Sequence, residues 1–193
     1  LSIQPLTRAP AGHSDVIAGA ITVADRKTWE QLRDTAIQTG QVAGRDDCWL
    51  TLRGLRTMGV RLGQQARSAL DLAIWLQEQP EVAQVLHPAL PGCPGHDLWA
   101  RDFTGAGCLF GVVLESRYTG QDMERMINSL HLFGIGASWG GYESLVLPTT
   151  GGIQRAFPSP MGQACAFRLQ IGLEQTSDLM ADLKQAFTQL RSA

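Results

Sequence analysis

Lysine is scarce in this 193-residue chain: Lys27 and Lys184 are the only two. The formal net charge of -2 and the lack of like-charge runs leave no basic field for nucleic acid or an anionic membrane, so polyanion binding is excluded. The longest apolar-plus-glycine run, Gly105 to Leu114, is far short of the roughly 20 residues needed to cross a bilayer. Cys48, Cys93, Cys108 and Cys165 form no C-x-x-C pair and have no histidine at zinc-finger spacing, so a structural metal is excluded and free, mostly buried thiols are expected. No G-x-S-x-G elbow occurs, and the consecutive His13, Ser14 and Asp15 cannot converge on one point as a hydrolase triad. The glycines of GIGASWGG lack dinucleotide-binding spacing, and internal repeats are absent. The first residues carry no basic segment followed by an apolar one, which predicts a cytoplasmic protein without a signal peptide. The chain starts at Leu1 directly in a strand-like stretch, the expected look of a fragment.

With 44% hydrophobic residues, the chain can bury a sizeable core. The region up to about Arg53 combines a β-like start with a helix over Arg26 to Gln38 that Asp25 caps, and it reads as the tail of another domain. A longer helix is predicted from Leu55 to Gln79, with Leu62, Ala66, Ala69, Leu70, Ala73, Ile74 and Leu76 on its apolar face and Pro80 as its stop. Beyond it the pattern is α+β. Strands are predicted at Val82 to Leu86, Cys108 to Glu115, Ile135 to Trp139, Leu145 to Leu147 and Ala164 to Leu173, and helices at Gln121 to Leu132 and Ser177 to Leu190. Met123, Met126, Ile127 and Leu130 line the first of these helices, and Leu179, Leu183, Phe187 and Leu190 the second, where Thr176 is the expected N-cap. The proline-rich stretch His87 to His96 reads as a surface loop.

In CAFRLQIGL, Cys165, Phe167, Leu169 and Ile171 alternate with Ala166, Arg168 and Gln170, which puts Arg168 on the face opposite the apolar residues. On geometry alone, Arg168 is a surface arginine on an open sheet face. SWGG reads as a strand ending in a turn, with Gly140 and Gly141 permitting positive φ or a close approach, and Trp139 beside it is compatible with a core position.

The stretch SIQPLTRAPAGHSD, Ser2 to Asp15, resembles the cofactor-anchoring segment of the pyridoxal phosphate (PLP) enzymes of Cys/Met metabolism, in which Thr-Lys-aromatic precedes Gly-His-Ser-Asp. Thr7, Gly12, His13, Ser14 and Asp15 fit that pattern, but Arg8 stands at the lysine position and Ala9 at the aromatic. A guanidinium stays protonated and cannot supply the neutral amine that forms an imine with the cofactor aldehyde. Thr51 to Leu62, His87 to Gly92, Arg101 to Leu114, SWGGYESL (Ser138 to Leu145) and FRLQIGLE (Phe167 to Glu174) extend the resemblance, in order, to the carboxyl-terminal half of the cystathionine β-lyase branch. Trp139 and Tyr142 match that branch rather than the γ-synthases and γ-lyases.

The resemblance implies a fold-type-I PLP-dependent transferase-like α/β fold. Its parts would be the end of the PLP-binding large domain (1–54), a connecting helix (55–80) and a small carboxyl-terminal α+β domain (81–193). It further implies PLP as the family cofactor, with Thr7 on its phosphate, and an amino-acid thioether substrate met by Ser138, Trp139 and Arg168, the arginine gripping the α-carboxylate through its planar fork. The family reaction is a carbon-sulfur lyase step of transsulfuration and methionine biosynthesis, cystathionine going to homocysteine, pyruvate and ammonia, in homo-oligomers. Because Arg8 is not competent at the lysine position, the expectation is an incomplete and inactive lyase fragment, with a non-catalytic remnant or binding module as the alternative.

Overall fold

A computed structural model describes residues 1–150, 156 and 164–191. The chain divides into two compact units, Leu1–Val60 and Arg61–Ala193.

In the first unit, strand β1 (Ser2–Pro5) pairs antiparallel with β2 (Gly19–Thr22), Ser2 opposite Thr22 and Pro5 opposite Gly19. The motif segment lies between them, wound into turns by bonds from Ala11 N to Leu6 O and from Gly12 N to Arg8 O, at 2.9 and 2.8 Å. Helix α1 (Arg26–Thr39) starts where predicted: the Asp25 carboxylate accepts the Thr28 N–H, and Gly40 in the left-handed region closes the far end. Helix α2 (Arg45–Leu55) escaped the sequence reading, because RDDCWLTLRGL has a weak apolar stripe and its Gly54 reads as a breaker. Gly54 is there for a packing reason, since a Cβ at this position would overlap the Ala11 carbonyl.

Helix α3 (Met58–Gln77) begins three residues later than expected, after a break at Arg56 and Thr57. Its buried face also differs: Arg61, Gln65, Ser68, Ala69, Leu72, Ala73 and Leu76 point inward, whereas Ile74 is exposed and Leu62, Ala66 and Leu70 are half-buried. Polar side chains that find buried partners shift the face, which hydropathy alone does not register.

The second unit is built on a five-stranded sheet in the order β3-β4-β7-β6-β5. Its strands are β3 (Val82–Leu86), β4 (Leu109–Leu114), β5 (Gly134–Ile135), β6 (Leu145–Pro148) and β7 (Ala166–Gln170). All pairs are antiparallel except β5 with β6. The strand expected over Ile135 to Trp139 stops at Ile135, and the chain turns away from the sheet. Helix α5 (Gly120–Asn128) opens with a capping box in which Thr119 and Asp122 serve each other's backbone amides, and it packs on α6 (Thr176–Arg191). Thr176 is the first residue of α6 rather than its N-cap, and its hydroxyl is bonded to Ser68 Oγ at 3.1 Å.

Phe167, Leu169 and Ile171 are fully buried, as the alternation predicts, and join Leu72, Leu76, Leu179, Leu183 and Phe187 in one apolar cluster. Each such side chain contributes about 1.5 to 3 kcal/mol of burial. The His87 to His96 stretch is a surface loop only from Pro91 onward, because His87 and Leu90 are buried, and residues from His96 form a further short helix, α4 (His96–Asp102). Of the four cysteines, none is disulfide-bonded and only Cys108 is buried.

Candidate functional site

The Ser2 to Asp15 segment lies in the first unit. Thr7 continues the β1·β2 pairing with its side chain: its hydroxyl donates to Ala18 O at 3.2 Å and accepts from Ala18 N–H at 3.0 Å. The one hydroxyl proton is thereby used, and a phosphate oxygen would have to take it from Ala18. Arg8 is half-buried. His13, Ser14 and Asp15 are exposed, with Ser14 at a φ of 57° and the His13 ring donating from Nδ1 to Ala11 O at 2.7 Å.

The remaining candidates lie in the second unit and come together around β7. Where β5 stops, residues 136–143 run past the sheet face that carries Arg168. The arginine is half-buried rather than projecting from an open face: its Nη2 donates to Ser138 O at 3.0 Å and to Gly136 O at 3.3 Å. Its guanidinium carbon stands 5.9 Å from the centre of the Trp139 ring, within cation-π range. Trp139 is exposed at 37%, so it is a rim residue and not a core aromatic. Ser138 meets Arg168 through its backbone carbonyl. Beside them, burial pushes the Cys108 thiol up, opposed by the Gly140 N–H and the Arg168 charge.

Gln170, two residues along the same face, is completely buried. Its Oε1 accepts from Gly140 N–H at 3.0 Å, and its Nε2 reaches Gly141 O, Glu143 O and Ile171 O, each at 3.1 Å. Gln65 on α3 donates to Gly141 O and Ile171 O at 2.7 and 3.1 Å. Neither glutamine was singled out from the sequence. The available signal was the polar face of β7, where Gln170 follows Arg168 at a spacing of two.

This mixed α/β body, with helices packed on an antiparallel-rich sheet, has the fold of the fold-type-I PLP enzymes. The chain belongs to the Cys/Met metabolism PLP-dependent enzyme family, whose pattern matches residues 1–188. It is 43% identical to the cystathionine beta-lyase MetC of Escherichia coli K12 over 98% of this chain and 49% of that protein. With the cystathionine beta-lyase of Bordetella avium the identity is 45%, over 96% of this chain and 47% of that protein. The crystal structure of cystathionine gamma synthase from Xanthomonas oryzae pv. oryzae in complex with cystathionine superposes with a TM-score of 0.86 at 31% identity, covering 98% of this chain and 50% of that one. The chain thus spans about half the length of the relatives it matches.

PLP is the cofactor of this family, and the residues present here do not fit it. Arg8 offers no neutral amine, and the Thr7 hydroxyl is bonded to Ala18 on both its donor and its acceptor side. Lys27 and Lys184 are exposed on α1 and α6, outside the matched segment. Among the described residues no helix is long and apolar enough to cross a membrane.

Proposed function

We propose that this chain corresponds to the carboxyl-terminal half of a cystathionine β-lyase-like enzyme of the cytoplasm, and that its own contribution is the substrate-carboxylate side of the site. The complete enzyme would cleave cystathionine to homocysteine, pyruvate and ammonia. In this reading residues 1–54 end the PLP-binding domain, 55–80 connect, and 81–193 form the small domain. Ser138, Trp139 and Arg168 receive the substrate. The observation that carries the reading is the Arg168 guanidinium, held by Ser138 O and Gly136 O beside the Trp139 rim.

The hydrogen bonds bear on how the arginine would meet a carboxylate. Both guanidinium edges that can meet a carboxylate with two parallel bonds include Nη2. Because Nη2 is engaged by two loop carbonyls, a bidentate carboxylate would take over one of its protons, and the longer bond, to Gly136 O, is the one to yield. Trp139 would shield the pair from water on its open side, strengthening it. No step is assigned to Arg8 or Thr7.

A second reading, a non-catalytic remnant that keeps the small-domain fold, is favoured by Arg8 and by the closed hydrogen bonding of Thr7. A chimera separates the two. The amino-terminal half of the Escherichia coli lyase is joined to this chain with Arg8→Lys, and cofactor absorbance and cystathionine cleavage are measured. Cleavage is expected only with Arg8→Lys, and Arg168→Ala should then lower kcat/KM by at least roughly tenfold, the size of a lost charge-assisted hydrogen bond. A chimera that binds cofactor but cleaves nothing supports the remnant. Activity within about twofold after Arg168→Ala removes the carboxylate role.

A further inference from the structure

We propose that Gln170 is the positioning residue of the carboxylate site: its buried amide fixes the Gly140–Glu143 turn, and the turn fixes the Ser138 carbonyl that aligns Arg168. The proposal rests on the reading of Arg168 given above and adds to it the group that sets the arginine's geometry.

The need for such a group follows from how residues 136–144 are held. β5 ends at Ile135, so no strand ladder fixes the chain beyond it. Gly136 N–H still bonds Val146 O at 3.1 Å, and further on Leu173 N–H bonds Tyr142 O at 2.8 Å while Ser144 is gripped by the Glu174 carboxylate. Between these points lie Ser138, Trp139, Gly140 and Gly141. There side chains reach the backbone of Gly140 and Gly141: Gly140 N–H donates to Gln170 Oε1, and Gly141 O accepts from Gln170 and Gln65. Gly140 itself has a φ of 79°, a left-handed corner that ends the SWGG run. Ser138 O thus stands two residues before a corner that the buried Gln170 amide holds from both sides, as acceptor to Gly140 and as donor to Gly141 and Glu143.

Gln170 suits this task through three properties. It lies on the same β7 face as Arg168, at the smallest same-face spacing, so the arginine and the group holding its loop are fixed to one rigid strand. It is wholly buried and neutral, so its bonds compete with no water and place no second charge beside the guanidinium. Its amide is both donor and acceptor, which a hydrocarbon or a carboxylate of similar size is not. Gln65 supplies a second donor to the Gly141 and Ile171 carbonyls and ties α3 to the same corner.

The test uses the full 193-residue chain, free in solution, with Gln170→Met, which keeps the length and removes the amide. Amide hydrogen exchange at Gly140 and the guanidinium resonances of Arg168 are recorded by NMR. Gly140 exchange should rise at least roughly tenfold and the Arg168 signals should shift and broaden, while Leu169 in the β7 ladder stays within about twofold. Gln65→Met, which leaves the Gly140 bond in place, should move the same signals less, by about threefold at Gly140. If Gln170→Met does not fold, Gln170→Glu, which keeps an acceptor for Gly140 and removes the donor to Gly141 and Glu143, is read the same way: unchanged Arg168 signals in it overturn the proposal. Unchanged Gly140 exchange and unchanged Arg168 signals in a folded variant overturn the proposal. A titration of the wild-type chain with L-cystathionine tests the underlying reading separately: Arg168 signals that ignore the ligand but respond to Gln170→Met remove the carboxylate role and leave the positioning intact.

Discussion

Among the described residues of Arg61–Ala193, one cluster of buried apolar side chains runs from α3 through the sheet to α6; in Leu1–Val60 the buried apolar side chains are Ala11 and Val16. The first unit instead exposes Ile3, Ile17, Ile37, Val42, Trp49 and Val60, each more than half accessible. The second unit can offset its conformational entropy with its own burial. The first cannot. Its organisation comes from backbone geometry: a four-residue antiparallel pair, the Thr7–Ala18 bracket and the close approach of α2 to Ala11 at Gly54. An apolar surface of this extent on so small a unit fits the end of a larger domain, as proposed above. The difference also bears on the proposed chemistry, since Arg168, proposed to meet the carboxylate, stands on the unit with the buried core, and Thr7 and Arg8 stand on the other.

The largest effect expected from this contrast is in the core. Leu169→Ala should destabilise the second unit by about 2 to 5 kcal/mol, because Leu169 is fully buried in the central β7. Ile17→Ala, at 92% exposure in the first unit, should stay within about 0.5 kcal/mol. Urea unfolding of both variants checks the pair. A Leu169→Ala loss below about 0.5 kcal/mol would contradict the strand assignment itself.

The next effect belongs to the first unit and runs against helix propensity. Alanine is favoured over glycine inside a helix by about 1 kcal/mol, so Gly54→Ala would stabilise α2 if nothing lay against it. The added Cβ would overlap the Ala11 carbonyl, and relieving that contact should cost about 1 to 3 kcal/mol. Hydrogen exchange of the α2 amides should therefore accelerate in Gly54→Ala. If they slow instead, α2 does not rest on Ala11, and the first unit has less internal order than described.

How much was legible before the fold was known follows the same division. β3 and α1 were read almost to the residue, because Pro80 and Asp25 mark their beginnings, and the alternation in β7 correctly buried Phe167, Leu169 and Ile171. Apolar periodicity failed where packing uses polar atoms or bare backbone. On α3 it placed Ala69, Ala73 and Leu76 inward correctly but also Ile74, which is exposed, and it missed Gln65 and Ser68, which are buried by hydrogen bonding; it passed over α2, whose contact is a glycine. It also extended β5 to Trp139, although the chain turns away after Ile135 to form the loop that holds Arg168. Of the candidate site, alternation gave only the β7 face that carries Arg168, and the expected roles of Arg168, Ser138 and Trp139 came from resemblance. The amides that organise them were not legible, since a strand glutamine on a polar face looks like a solvated one.

The smallest effect expected is a pH slope in the second unit, and it comes from a residue read as part of a surface loop. His87 is fully buried, accepts the Ala89 N–H on Nδ1 at 3.2 Å, and stands edge-on to Phe110 at 5.6 Å between ring centres. With Nδ1 accepting, the proton of the neutral ring sits on Nε2, which has no hydrogen-bond partner among the described residues. Burial holds the ring's pKa below the ordinary histidine value, so the unfolded chain binds a proton more readily than the folded one. Stability is then full above about pH 6.5 and declines as the pH falls through the unfolded value toward the lower folded one. Urea midpoints measured from pH 7.5 down to 5 should fall for the wild-type chain and flatten in His87→Phe, which keeps a ring against Phe110 and removes the titration. An equal slope in the two proteins would assign the acid sensitivity to other groups and leave His87 as a buried ring whose protonation the fold tolerates.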